Sequence, residues 1–281
     1  MNELIYILLP IHNRKETTRQ FIQCLKIQTN QHFKLIVVDD GSDDGSFEMI
    51  RESVSEAVQI RGEGKWWWGG SLQQGYQWLK KNVPGEEFLL IINDDSIIES
   101  DFLQTGIDIL KENPKTLLLA EAYSMQTKKL IDKGVFFDFK NFKIHMAQSS
   151  EEINCMSTRG LFLRVSDLIE LRGFKNNLLP HYYSDYEFTI RAGRKGYKLM
   201  VSDKLKLWMN EASTGIGLIA DRSPSAYLKN YFSKKYTDHP VYTFNFIMLT
   251  FPFPFNIKYG LRQIINTTKT LVKLLIRERV S

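Results

Sequence analysis

Apolar runs that break off into polar knots constrain this chain most. "LIYILLP" gives way to "IHN", "FKLIVV" to "DDGS" and "EEFLLII" to "NDDS", with the shorter run "AVQIRG" between the last two. Runs without polar alternation read as strands covered on both faces. The stretches between them, "KETTRQFIQCLKIQT", "SFEMIRESVS" and "GSLQQGYQWLKKN", carry apolar residues at helical spacing. Strands separated by helices pair in parallel through right-handed crossovers. The expectation is an α/β chain with a mainly parallel sheet flanked by helices. In such open sheets ligands bind beyond the carboxyl ends of the strands, so all three polar knots fall on one edge. Two of them are acidic pairs, Asp39–Asp40 and Asp94–Asp95.

Adjacent buried carboxylates repel and are costly to desolvate. A divalent cation removes the cost, because Asp and Asn oxygens suit magnesium or manganese shared with substrate phosphates. A strand-end turn, which also favours Asn, Asp and Ser, is the other reading. Neither a G-x-G-x-x-G nor a G-x-x-x-x-G-K-[ST] follows the first strand, so no dinucleotide fingerprint or P-loop is expected.

Composition bounds the rest. The 281 residues, 43% hydrophobic and 25% charged, describe a globular chain with a large core. Cys24 and Cys155 lie far apart, which suggests reduced thiols in a cytoplasmic protein rather than a disulfide framework. "MNELIYILLP" does not read as a signal peptide. The net charge of +5 is matched by the segment from Ile257 onward, where six basic residues face one acid, Glu278. Nucleic acid is therefore not expected as a partner, since a binder spreads its charge over the main domain. In that tail Leu261, Ile264, Ile265, Val272, Leu275 and Ile276 share a helical arc beside Lys258, Arg262, Lys269 and Lys273. With "FPFPF" before it, the tail reads as a peripheral membrane element; a helix packed on the main domain or a homodimer contact would use the same pattern. The expected division is 1–220 for the catalytic unit and 221–281 for a helical, aromatic and basic appendage.

"LLPIHNRKETTRQFIQCLKIQTNQHFKLIVVDDGSDDGS" resembles the opening of an inverting family 2 glycosyltransferase with the GT-A fold, and "IINDDS" resembles that family's Asp-x-Asp metal motif with Asn93 in place of the first Asp. "LPHYYSDYEFTIRAGRKGY" is similar to its Glu-Asp segment, with Ser184 where the first acid usually stands, then Asp185, Glu187, Arg191 and Gly196. "NCMSTRGLFLRVSDLIELRGF" resembles its acceptor-side strand and helix, and the aromatic-Gly-Gly stretch "WWWGG" is similar to that of rhamnosyl-type bacterial members.

The resemblance implies that Pro10, His12, Asn13, Asp39, Asp40, Trp68, Gly69, Gly70, Asn93 and Asp94 border a UDP- or dTDP-sugar. It implies that Asp95 binds Mg2+ or Mn2+, that Asp185 is the general base, and that Gly160, His181 and Ser184 lie on the side of a saccharide or lipid-linked acceptor. Asp185 could equally cap the helix it begins, and Arg191 reads as a structural ion-pair partner. The family's C-terminal metal-binding histidine has no counterpart; Asn210 and Glu211 stand near its place. A hexosyl or deoxyhexosyl transferase of bacterial cell-surface polysaccharide synthesis is the expected function. A non-catalytic nucleotide-sugar-binding protein on the same scaffold is the alternative.

Overall fold

The computed structural model describes residues 3–210, 231–234, 236 and 239–278, with side chains of the last helix as far as Lys273. Strand β1 (Ile5–Ile11) leads into α1 (Lys15–Lys26), β2 (Phe33–Asp39), α2 (Ser46–Ser53), β3 (Val58–Arg61), α3 (Trp67–Asn82) and β4 (Phe88–Ile91). After β5 (Ser96–Ile98) come α4 (Phe102–Glu112), β6 (Thr116–Ser124), β7 (Leu130–Asp132) and the hairpin β8 (Val135–Asp138) with β9 (Lys143–Met146). The unit closes with β10 (Leu161–Arg164), α5 (Val165–Glu170), α6 (Ser184–Arg194) and β11 (Lys198–Met209), and two helices follow, α7 (Pro240–Thr250) and α8 (Phe255–Glu278).

The main sheet runs β3-β2-β1-β4-β10-β6-β11-β5, with β7 on the flank of β6. Pairs β2–β3, β1–β2, β1–β4 and β6–β11 are parallel; β10 is antiparallel to both neighbours and β5 to β11. β1 shows why its run has no polar alternation. Ile5, Ile7, Leu9 and Ile11 enter the core beneath α1 and α4, while Tyr6 and Leu8 enter the one beneath α3 and α5. Both faces are buried, as a sheet with helices on each side requires. The chain steps outward from β1 through β2 to β3, then returns to place β4 on the other side of β1. That reversal opens a crevice at the carboxyl ends of β1 and β4.

One detail differs from the sequence reading: the third helix begins at Trp67, within the triple tryptophan, rather than at Gly70. The C-terminal region packs on the main domain at its start. Phe246, Phe251 and Tyr259 pack with Phe137, Phe139 and Phe142 of the β8–β9 hairpin, and the Tyr259 hydroxyl donates to the Lys140 carbonyl at 2.8 Å. The expected boundary at 220 and 221 lies outside the described residues.

Candidate functional site

The carboxyl ends of β1 and β2 are tied together before any ligand is considered. Asn13 sits in the left-handed region (φ 51°), where Asn is tolerated better than most residues. Its amide donates to Ser42 Oγ at 2.9 Å and its Oδ1 accepts from the Asp43 amide at 2.8 Å. His12 Nδ1 lies 2.8 Å from the Asp40 carbonyl oxygen. Pro10 is buried within β1 opposite Val38.

The first acidic pair divides its labour. Asp39 Oδ1 accepts the Ser42 amide at 2.8 Å, while its buried Oδ2 has no hydrogen-bond partner among the described residues. Asp40 is fully used: Oδ1 accepts from the Lys65 amide at 3.1 Å, and Oδ2 from Trp66 and Trp67 at 2.9 and 2.8 Å. A carboxylate there satisfies the orphan amides of a helix N-terminus and complements its dipole. Asp40 thus holds the start of α3, and Asp39 keeps the oxygen that can meet a ligand. The resemblance implies that both border the nucleotide sugar; the hydrogen bonds to the start of α3 are a further role of Asp40.

The tryptophans diverge. Trp66 and Trp68 pack against the core beneath α3. Trp67, at φ 59°, turns its ring to His181 at a centroid distance of 5.5 Å. The sequence singled out Trp68; the ring beside His181 is Trp67. Gly69 and Gly70 are buried and serve packing. The Gly69 amide donates to the Pro180 carbonyl at 2.9 Å, and a Cβ on Gly69 would stand 2.6 Å from the Leu179 carbonyl oxygen and 2.9 Å from Ser184 Cβ. Ser184 is buried, and its hydroxyl donates to the His181 carbonyl at 2.9 Å. The start of α3 therefore presses directly on the start of α6.

Beyond β4 the second acidic pair is buried against α1. Arg14 spans it, with Nη1 3.3 Å from Asp94 Oδ1 and Nη2 3.0 Å from Asp95 Oδ2. Thr18, one turn further along α1, donates to Asp94 Oδ2 at 2.9 Å. Burial pushes the Asp94 carboxyl up to about 6, helped by Asp95 and opposed by Arg14 and Thr18. Asn93 Oδ1 is buried and has no hydrogen-bond partner among the described residues. Met209 pairs with Ser96, which places Asn210 beside Asp95; Asn210 Oδ1 accepts from Gln126 Nε2 at 2.5 Å. Glu211 lies outside the described residues. No three His, Cys, Asp or Glu side chains converge on a metal position among the described residues. The oxygens that fit a hard cation are those of Asp95 and Asn93, a partial set that substrate phosphates would complete.

Asp185 stands in the first turn of α6, and its Oδ1 accepts the Tyr186 amide at 2.9 Å rather than capping the helix, whose N-cap is Tyr183. Burial raises its carboxyl to about 6; Asp132 adds to the rise, and the Tyr186 amide and Arg159 oppose it. Arg159 precedes Gly160, whose amide donates to the Ile91 carbonyl at 3.0 Å, so Arg159 emerges beside the end of β4. Gly160 itself is buried at φ 75° against Leu207 and Ala120, a sheet position rather than a surface facing an acceptor. Asp132 is fixed by Ser157 Oγ at 2.6 Å and by the Gly134 amide at 3.0 Å. The edge thus holds two chemically distinct ends: an acidic pair bridged by Arg14, and a carboxyl that burial lifts to about 6. Arg191 is structural, paired with Glu187 at 2.7 Å and donating to the Leu171 and Gly173 carbonyls.

Sequence reading missed Arg14, Thr18, Asp132 and Arg159. Arg14 and Thr18 carry a signal, an i,i+4 pair directly after the first polar knot. Asp132 has none, because only the pairing of β7 with β6 brings it to the edge.

Comparison with known proteins bears on the family and the fold. The model of the family described as "Glycosyl transferase family 2" matches residues 6–171, more than half of the chain. Glycosyltransferase GlyG of Streptococcus pneumoniae serotype 4 is 26% identical over 127 residues, 44% of this chain and 40% of that protein. An uncharacterized glycosyltransferase of Rickettsia conorii is 27% identical over 128 residues, 45% of this chain and 20% of that protein. The chain thus spans less than half the length of either curated relative. Among solved structures, S. aureus TarS 1-349 in complex with UDP-GlcNAc superimposes with a TM-score of 0.59 at 16% identity, covering 87% of this chain and 65% of that one. A second TarS 1-349 structure gives 0.57 at 16% identity, covering 96% and 80%. At such identities the likeness establishes the fold, GT-A. The chain belongs to glycosyl transferase family 2.

Proposed function

We propose that the protein moves a hexosyl or deoxyhexosyl group, with inversion, from a UDP- or dTDP-sugar to a hydroxyl of a saccharide or lipid-linked saccharide. The observation that carries this reading is the separation of roles along one sheet edge. The Asn93–Asp95 knot offers a place for a diphosphate and its counter-charge, and Asp185 offers a base. Family membership supports it, as does a GT-A neighbour solved with UDP-GlcNAc.

In this reading the unpartnered Asp39 Oδ2 accepts a hydrogen bond from the base or ribose. Trp67 and His181 border the sugars, since a ring face packs well on an apolar sugar face. The Asp185 carboxylate takes the acceptor hydroxyl's proton, the freed oxygen bonds to the anomeric carbon from the opposite face, and the bond to the diphosphate breaks. The nucleoside diphosphate leaves with the electron pair, and the Arg14 guanidinium lies within reach of its growing charge. Asp95, with Asn93, would hold Mg2+ or Mn2+, which when bound neutralises the diphosphate. Bacterial cell-surface polysaccharide synthesis on the cytoplasmic side is the setting we assign. Cys24 and Cys155 are free thiols, which suits it. No helix among the described residues is long and apolar enough to cross a membrane.

A thermal-shift screen of UDP- and dTDP-sugars with Mg2+ or Mn2+ tests the donor class. One class should raise the midpoint in wild type, and raise it less in Asp39→Ala. Silence from every nucleotide sugar would sink the proposal.

A further inference from the structure

Helices α7 and α8 form an antiparallel hairpin: Gln263 Nε2 donates to the Pro240 carbonyl at 3.5 Å, and Gly260 lies against Met248 and Phe244. The side of α8 that carries Tyr259 and Gly260 is buried against the rest of the protein. Among the described residues, its opposite side is exposed as far as Lys273. At 100° per residue, Ile257, Leu261, Ile264, Ile265 and Val272 fall on an arc about 100° wide. All five are exposed, Leu261 at 56% and Ile265 at 51%. Lys258, Arg262, Lys269 and Lys273 are exposed along the adjoining arc, and no acidic residue occurs between Phe255 and Lys273. The turn before the helix presents Phe253 at 82% exposure.

We infer that this hairpin is a docking surface for an anionic lipid bilayer, with the apolar arc of α8 and Phe253 in the interface and the basic arc at the phosphate level. Charge selects this occupant. A second copy of the helix would bring four positive charges against four, whereas anionic headgroups complement them. An apolar stripe bordered by Lys and Arg is the pattern of helices that lie in the membrane plane.

The dock also bears on the substrate, and this clause rests on the proposed transfer. Phe246 of α7 stacks on Tyr183 at 4.6 Å, two residues before Asp185, and Asn245 Nδ2 donates to the Leu178 carbonyl at 3.0 Å. The hairpin is thus joined to the loop that leads into the candidate base. Docking it would hold the Asp185 end of the cleft near the headgroups, where the saccharide of a lipid-linked acceptor lies.

Flotation of the full chain with vesicles of phosphatidylcholine alone, or with added phosphatidylglycerol, at low and high salt tests the surface. Wild type should float with the anionic vesicles at low salt and partly remain at high salt, because apolar burial is not screened. Replacing Lys258, Arg262, Lys269 and Lys273 by Gln should lower partitioning at low salt by more than about a hundredfold, at roughly fivefold for each charge. Replacing Phe253, Leu261, Ile264 and Ile265 by Ser should abolish the salt-resistant fraction. Both sets alter exposed residues, and unchanged circular dichroism and thermal midpoints without ligand would show that each variant is folded. Failure of wild type to float at low salt overturns the inference while leaving the transfer reading intact. A dimer in sedimentation that the Ser variant dissolves, without flotation of wild type, would overturn it in favour of self-association.

Discussion

Asp185 and Arg14 are the two residues on which the proposed chemistry turns, and they hold charge in opposite ways. Asp185 is a carboxyl lifted by burial to about 6 from an ordinary 3.8. As a base it must be ionised, so transfer should rise with pH through about 6 and level off above. The same shift has a stability cost. Between 3.8 and about 6 the native state holds a proton that the unfolded chain has released, so stability falls as pH rises through that window. Asp185→Asn should therefore lower turnover by about 10²–10⁴-fold yet raise the thermal midpoint at pH 7 by roughly 2–4 °C; calorimetry and a pH–rate profile check both signs. Arg14 instead supplies charge to a site that would otherwise be all acid. Arg14→Ala leaves Asp94 and Asp95 buried together and should cost about 3 kcal/mol. Mn2+ should then raise the midpoint of the variant more than that of wild type. Equal responses to Mn2+ would separate Asp95 from any metal role.

At the scale of elements, the site is a set of strand and helix ends pressed together, and the glycines show how tightly. In Gly69→Ala the new methyl would meet the Leu179 carbonyl oxygen and Ser184, forcing α3 away from α6. A loss of about 1–3 kcal/mol is expected, with turnover reduced because Ser184 and Asp185 move together; urea denaturation and donor hydrolysis measure the two. What the sequence made legible follows the same division. Unalternated apolar runs announced β1, β2 and β4, and the polar knots announced their carboxyl ends. The role of Asp40 was not legible, because its partners are the amides of Lys65, Trp66 and Trp67, twenty-five or more residues on. Nor could three consecutive tryptophans reveal which one meets His181 while the others pack on the core. That depends on the positive φ of Trp67, a backbone choice fixed by tertiary contacts. Asp132 and Arg159 were hidden for a similar reason, since strand pairing rather than spacing brings them to the edge.

Taken as a whole molecule, the protein is a GT-A domain whose C-terminal hairpin begins in its core and ends on its surface. Phe251 lies at the centre of the aromatic cluster, edge-on to Phe137 at 5.5 Å and to Phe142 at 4.9 Å. Phe251→Ala should cost about 3 kcal/mol, whereas truncation after Asn266 should leave the denaturation midpoint nearly unchanged. That contrast marks where packing on the domain gives way to the uncovered face. The proposed function has one sheet edge bind a nucleotide sugar and activate a hydroxyl through Asp185. It is tested most directly by proton NMR of donor turnover, following the anomer first released, in wild type and Asp185→Asn at matched donor saturation. Wild type should first release a sugar of inverted configuration, and the variant should bind donor equally with almost no turnover. A retained configuration, or wild-type turnover in Asp185→Asn, would contradict it.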